Sequence, residues 1–305
     1  MEKKRDDLRC APTKNLSNGT CYTIEQLKII ATSYNNNNND KNKMIKFDDN
    51  TTKKRLLYRI IKNITNETNC DNQICWLKQD FMKNNIDNDL LKNTFRPKGP
   101  ANEGNYKWLS NFDIQKVMKQ YEIKYDDFCF LGAVPVDFFE INYNNLSNIN
   151  FDYLYDNKPK LGLIINLDKH NQSGSHWVSL FINLKNNEIY FSDSVGNRPP
   201  KEVRYFINKV VNFCDKKNNM DDNSTIQSDV SFMNGIKKNK YEKKYPIKFN
   251  QNNIQKSNSE CGVFSINFIL RLLKGEKFEE YIKTAPNDEE VNKCRNIYFI
   301  DEEKY

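Results

Sequence analysis

Apolar positions follow two regimes along the chain. Up to residue 93 they are sparse and helically spaced. Ile24, Leu27, Ile30 and Ala31 predict a helix over 23–34, and Leu56, Leu57, Ile60 and Ile61 a second over 53–64. The Asn run at 35–39 between them reads as a low-complexity loop. A third helical candidate spans 74–95, interrupted by an Asn-rich segment at 84–88. The pattern predicts a polar helical arm, residues 1–93, with weak internal structure.

Arg96-Pro97-Lys98-Gly99-Pro100 breaks any helix reaching it, and the apolar density rises beyond. Ile114, Val117, Met118 and Tyr121 predict a helix begun near Ser110 or Asn111. A strand-length run at 161–167 follows. Stretches at 176–184 and 189–194 then flank Lys185-Asn186-Asn187-Glu188, a hairpin signal. Val203, Phe206, Ile207, Val210, Val211 and Cys214 form the stripe of a helix lying on a sheet. Residues 216–245 read as a long Lys-rich surface insertion. Residues 261–273 are apolar almost all round, the pattern of a buried helix. The expected organisation is an arm at 1–93 and an α+β domain at 94–305.

Composition narrows the partners. The net charge of +7 comes from 47 basic and 40 acidic residues that are interspersed. That fits a solvated surface and leaves a nucleic-acid partner open. No apolar run reaches the roughly 18 to 20 residues a bilayer span needs, so no membrane partner is expected. Eight cysteines without scaffold density or a leading secretory signal point to a reducing compartment. Cys70 and Cys75 lack a second ligand pair, so no metal is expected and both read as ordinary thiols.

With only two histidines, His170 and His176, the search for a general base is short. His176 opens a predicted strand, and Asp193 closes the returning one. A two-residue Asn186-Asn187 turn would set Asp193 opposite Leu180, so contact requires His176 to lie beyond the paired region and lean back. Cys261 heads the buried helix, where unsatisfied amides and the helix dipole favour a thiolate. Gly262 beside it offers a substrate backbone room to approach. Gln255 has an amide for a developing oxyanion beside the Cys261 N–H, with Asn258 as the alternative donor. The order His, Asp, Gln, Cys points to a thiol acyl-transfer enzyme with no cofactor.

Trp108-Leu109-Ser110-Asn111, Gly174-Ser175-His176-Trp177, Tyr190-Phe191-Ser192-Asp193-Ser194, Gln255 and Ser259-Glu260-Cys261-Gly262-Val263-Phe264 resemble the SUMO and ubiquitin-like-protein proteases and the adenovirus endopeptidase. Arg96 to Pro100, Pro135-Val136-Asp137-Phe138 and Ser194 to Pro200 bring the chain nearer the polyprotein-processing cysteine proteases of African swine fever virus and related large DNA viruses. The resemblance implies a papain-like-superfamily core: a mixed central sheet flanked by helices, the nucleophile at the N-terminus of a buried helix, and a helical arm before it. It implies Cys261, His176 and Asp193 as the catalytic set, with Gln255 in the oxyanion hole. Trp177 and Trp108 would clamp a Gly-Gly tail, with Asn111 and Gly262 beside them. One departure is that the swine fever virus enzymes carry Asn where Asp193 stands, which makes that position first an orienting one.

The implied activity is cleavage after Gly-Gly in viral capsid or core polyprotein precursors during virion maturation, in the virion and host cytoplasm. Two alternatives remain. One is deconjugation of SUMO-like or ubiquitin-like proteins, and the other a catalytically silent binding module of the same fold.

Overall fold

The computed structural model describes residues 10–68, 70, 72–83, 88–100, 107–219 and 247–300. The chain divides into two compact units. One contains the residues up to Gly99, rejoined by the segment from Asn296, and the other contains 100–295. The division therefore falls at 99/100 rather than 93/94, and the last residues leave the catalytic part. The cause is packing: Phe95 meets Tyr22 edge-on with ring centroids 5.1 Å apart. Buried Ile300 joins the same core, and its N–H donates to Pro97 O at 3.0 Å.

In the first unit α1 (Ile24–Asn36) starts at Thr23, whose hydroxyl accepts the Gln26 N–H while the Gln26 side chain accepts the Thr23 N–H. This reciprocal cap satisfies two of the orphan amides. Helix α2 (Lys53–Glu67) is capped by Thr52. The third helical candidate is instead broken into α3 (Gln73–Trp76), a 3-10 turn at Asp80–Met82 and α4 (Asn88–Asn93). Residues 84–87 of that candidate lie outside the described residues.

Weak internal structure is not what the unit shows. Leu27, Ile30, Leu56, Ile60 and Ile64 close over Tyr22 and Trp76, whose rings stack at 6.0 Å. Two disulfides also cross-link it: Cys10–Cys21, with α-carbons 5.3 Å apart, and Cys70–Cys75, 5.6 Å apart. Cys70 and Cys75 are thus not ordinary thiols, because the chain brings their α-carbons within disulfide range.

The second unit begins with α5 (Asn111–Lys124), whose N-cap Ser110 forms a reciprocal pair with Asp113. It continues through β1 (Phe128–Pro135), a 3-10 segment at Tyr143–Asn148, α6 (Phe151–Asn157), β2 (Lys160–Asn166), β3 (Trp177–Asn183) and β4 (Glu188–Ser192). Then come α7 (Lys201–Asn219), β5 (Ile247–Phe249), α8 (Cys261–Leu273), α9 (Phe278–Lys283) and α10 (Asp288–Lys293). A last turn, α11 (Arg295–Tyr298), leads back to the first unit. The predicted insertion at 216–245 overlaps α7 as far as Asn219, and its remainder lies outside the described residues.

The five strands pair in order β1-β2-β3-β4-β5. The β1–β2 and β4–β5 pairs are parallel and the other two antiparallel, so the sheet is mixed, as the α+β reading expects. Every residue of β3 is buried, because both faces are covered. Leu161, Leu163, Ile165, Val178, Leu180 and Ile182 meet the stripe of α7. On the other face, a β-carbon at Gly162 would stand 3.3 Å from Ile269 of α8. The sheet therefore sits between two helical layers, with the apolar helix that begins at Cys261 packed on one face.

Candidate active site

The hairpin register brings the base and its acid together. Ser179 pairs with Ser192 and Asn183 with Glu188, leaving a four-residue loop rather than a two-residue turn. Asn187 closes that loop at φ 55°. This register carries Asp193 two residues further towards the strand entrance than the shorter turn would. His176 lies just before β3 and Asp193 just after β4, and their side chains meet, His176 Nε2 to Asp193 Oδ1, at 2.7 Å.

Asp193 is itself held in place. Its Oδ1 also accepts the Val195 N–H at 2.9 Å, and its carbonyl accepts the Asn250 amide at 2.8 Å. Burial disfavours its charge, but the bonds from His176, Val195 and Asn197 outweigh burial and hold the carboxyl below its ordinary range.

Cys261 is 2 % exposed and is the first residue of α8. Its thiol acts directly on the His176 imidazole and raises the ring's proton affinity, while Asp193 holds the ring at Nε2. Burial alone would lower the affinity of His176 for a proton. Hydrogen bonds to Asp193 and Cys261, and their negative charge, reverse this and raise the imidazole to about 9. At neutral pH the ring is therefore an imidazolium beside sulfur, the arrangement of an activated thiol nucleophile.

The helix start is kept free for an anion. Glu260, the N-cap, makes no side-chain cap to the first turn of α8. Its buried carboxylate instead accepts the Ser259 N–H at 3.0 Å, the Ser259 hydroxyl at 2.7 Å and the Asn292 amide at 2.9 Å. Arg295 donates to Asn292 Oδ1 at 3.0 Å and to Ser259 O at 3.1 Å. Asp288 accepts the backbone N–H groups of Lys256 at 2.9 Å and Ser257 at 3.0 Å. Together α10 and Arg295 cradle the whole loop from 256 to 260, and the amides of the first α8 turn stay available to negative charge. The motif reading includes Glu260 without giving it a role, and nothing in it points to Asp288, Asn292 or Arg295.

Gln255 is buried and doubly fixed: its Oε1 accepts from the Ser194 hydroxyl at 2.6 Å and its Nε2 donates to Ser257 O at 2.8 Å. One amide hydrogen remains to donate elsewhere. Asn258, the alternative donor, is exposed.

Both tryptophans border one cleft of about 410 Å³, lined also by Leu109, Asn111, Asn166 and His170. Trp177 is 6 % exposed and its indole N–H donates to Leu109 O at 2.9 Å, while Trp108 is 46 % exposed. Gly262 has a different surrounding from the expected open approach. A β-carbon there would stand 3.1 Å from Leu109 Cβ, so its smallness lets α8 pack against Leu109. Leu109 thereby ties the Trp177 wall to the nucleophile helix. The other histidine, His170, is oriented by buried Asp137, Nδ1 to Oδ2 at 2.7 Å, and does not join the catalytic pair. Among the described residues no group of His, Cys, Asp and Glu is placed to hold a metal. None of the described helices is long and apolar enough to cross a membrane.

Comparison with known proteins agrees with this geometry. A thiol protease, so named, of Acanthamoeba polyphaga mimivirus is 33 % identical, covering 95 % of this chain and 92 % of its own. A SUMO-1 cysteine protease of African swine fever virus is 25 % identical over 68 % of this chain and 73 % of its own. The crystal structure of the swine fever virus protease superposes with a TM-score of 0.61 at 18 % identity, covering 99 % of this chain and 100 % of that one, which shows a shared fold. The model of the Ulp1 protease family, C-terminal catalytic domain, matches residues 145–304. A buried thiol beside an imidazole that a carboxylate holds in place is the machinery of a cysteine peptidase, and the chain belongs to the Ulp1 protease family.

Proposed function

We propose that this cysteine peptidase cleaves after Gly-Gly in viral structural polyprotein precursors during virion maturation, acting in the virion and host cytoplasm. The observation that carries the specificity is the cleft bordered by Trp108 and Trp177. Two indole faces leave room for a glycine backbone and exclude side chains. The Cys261 thiolate attacks the glycyl carbonyl, forming a C–S bond. Its oxyanion is received by the Cys261 N–H and the Gln255 amide. His176 then gives its proton to the leaving amine as the C–N bond breaks, and activates the water that hydrolyses the thioester.

A second reading, release of SUMO-like proteins from conjugates, is favoured by the name of the swine fever virus relative. The two separate in one experiment, which incubates the enzyme with a SUMO fusion and with a precursor fragment containing an internal Gly-Gly. Faster cleavage of the fragment, lost on Gly→Ala substitution at the site, supports precursor processing. Faster cleavage of the fusion assigns the enzyme to deconjugation, and cleavage insensitive to the glycines removes the clamp.

A further inference from the structure

The protein's charge is unevenly placed. Residues 1–99 hold 19 Lys and Arg against 12 Asp and Glu, whereas residues 100–305 hold 28 of each. The whole net charge of +7 therefore comes from the first stretch, an asymmetry that marks a surface for an anionic partner.

Within that stretch the charge concentrates on α2. Its sequence carries Lys53, Lys54, Arg55, Arg59 and Lys62, and Glu67 at its last position is the sole acid. The apolar face of the helix, Leu56, Leu57, Ile60 and Ile64, is buried in the core of its unit. The opposite face is exposed: Lys54, Arg55, Tyr58, Ile61, Lys62 and Thr65, one stripe at helical spacing. Tyr58 is 66 % and Ile61 40 % exposed. The described ion pairs of the unit join Lys14 to Asp89, Lys28 to Asp49, Lys43 to Glu67 and Lys83 to Asp80. Among the described residues these pairs leave out Lys54, Arg55 and Lys62. An outward stripe in which Lys54 and Arg55 lie about two helical turns from Lys62, with the flat ring of Tyr58 about one turn from each, has the chemistry of a strand-binding surface.

We infer that the exposed face of α2 binds single-stranded nucleic acid, with Lys54, Arg55 and Lys62 on phosphates and Tyr58 stacked on a base. An anionic membrane fits less well, because insertion needs an apolar face and that of α2 is already used in the core. Duplex offers the same phosphates but no open base for Tyr58.

The test is fluorescence anisotropy of a labelled twenty-nucleotide oligo-dT titrated with the full-length chain between 50 and 200 mM salt. Wild type is expected to bind. Lys54→Glu/Arg55→Glu/Lys62→Glu should weaken binding at least tenfold and make the log–log salt slope shallower by about 2, since three cations each contribute about 0.7 on a single strand. Tyr58→Ala should weaken oligo-dT binding several-fold and leave duplex binding unchanged. Hydrolysis of a short Gly-Gly peptide and the melting temperature should stay at wild-type values in all variants. The inference is overturned by no wild-type binding, by a triple variant that binds equally, or by phosphatidylserine vesicles that bind more tightly than the oligonucleotide with the same dependence on the three cations.

Discussion

Replacing Asp193 by Asn keeps an acceptor for the imidazole and removes the carboxylate charge. His176 stands at about 9 because its bonds to Asp193 and Cys261 and their charges outweigh burial. Without the carboxylate its proton affinity falls towards the ordinary value of 6.5. At pH 7 the imidazolium fraction then drops about fourfold, and at pH 8 about thirtyfold, which follows from moving one titration from 9 to 6.5. The sign is set by the raised value. The stability contributed by this proton is complete below 6.5 and is lost as pH rises towards 9, and the alkaline limb of the rate follows the same proton. A kcat/KM profile on a Gly-Gly peptide from pH 5.5 to 10 reads this directly. Wild type should fall off near pH 9, and Asp193→Asn should approach it in acid while losing its alkaline limb first. A loss of equal factor at every pH would refute the charge-based role and leave Asp193 only an orienting one.

Other perturbations reach different parts of the structure. Gln255→Ala should lower kcat by about 10²-fold to 10³-fold with KM little changed, measured by initial rates. Glu260→Ala leaves the Ser259 N–H and hydroxyl and the Asn292 amide without their acceptor beside the charge of buried Arg295, and should cost about 3 kcal/mol in denaturant unfolding, whereas Glu260→Gln retains part of the network and costs less. Gly162→Ala would place a β-carbon 2.8 Å from Phe128 and 3.3 Å from Ile269, so about 1 to 3 kcal/mol should be lost where α8 packs on the sheet. Thiol titration in denaturant should find Cys129, Cys214, Cys261 and Cys294 free, and all eight cysteines only after reduction. Reduction should lower the first unit's melting temperature, each closed loop contributing about 2 to 3 kcal/mol.

Elements with a strict periodicity were legible in the sequence. The stripe at Val203 to Cys214 and the apolar run at 261–273 appear as α7 and α8, because each must bury a fixed face. The pairing of His176 with Asp193 was legible only as a spacing. The deciding quantity was the hairpin loop length, which depends on Asn187 adopting positive φ. The core of the first unit stayed hidden, since Tyr22 and Trp76 lie on short segments far apart along the chain and meet only in space. The same holds for Cys70 and Cys75, whose five-residue separation becomes a bridge only after the chain turns back. The cradle under the nucleophile loop was hidden for a different reason. Asp288-Glu289-Glu290-Val291-Asn292-Lys293 reads as a solvated surface helix, yet Asp288 and Asn292 turn inward to the backbone and carboxylate of another loop. At Gly262 the sequence shows the need for smallness but not the Leu109 contact that also requires it.

Site-resolved alkylation by iodoacetamide at pH 6.5, followed by peptide mass spectrometry, tests the thiolate–imidazolium pair most directly. Burial raises the Cys129 thiol to about 11 and the Cys214 thiol to about 12, so both should stay inert. Cys261 should be modified far faster than Cys129, Cys214 and Cys294, and His176→Ala should abolish that advantage. Modification of Cys261 no faster than the other three, or a rate unchanged without His176, would contradict the catalytic pair.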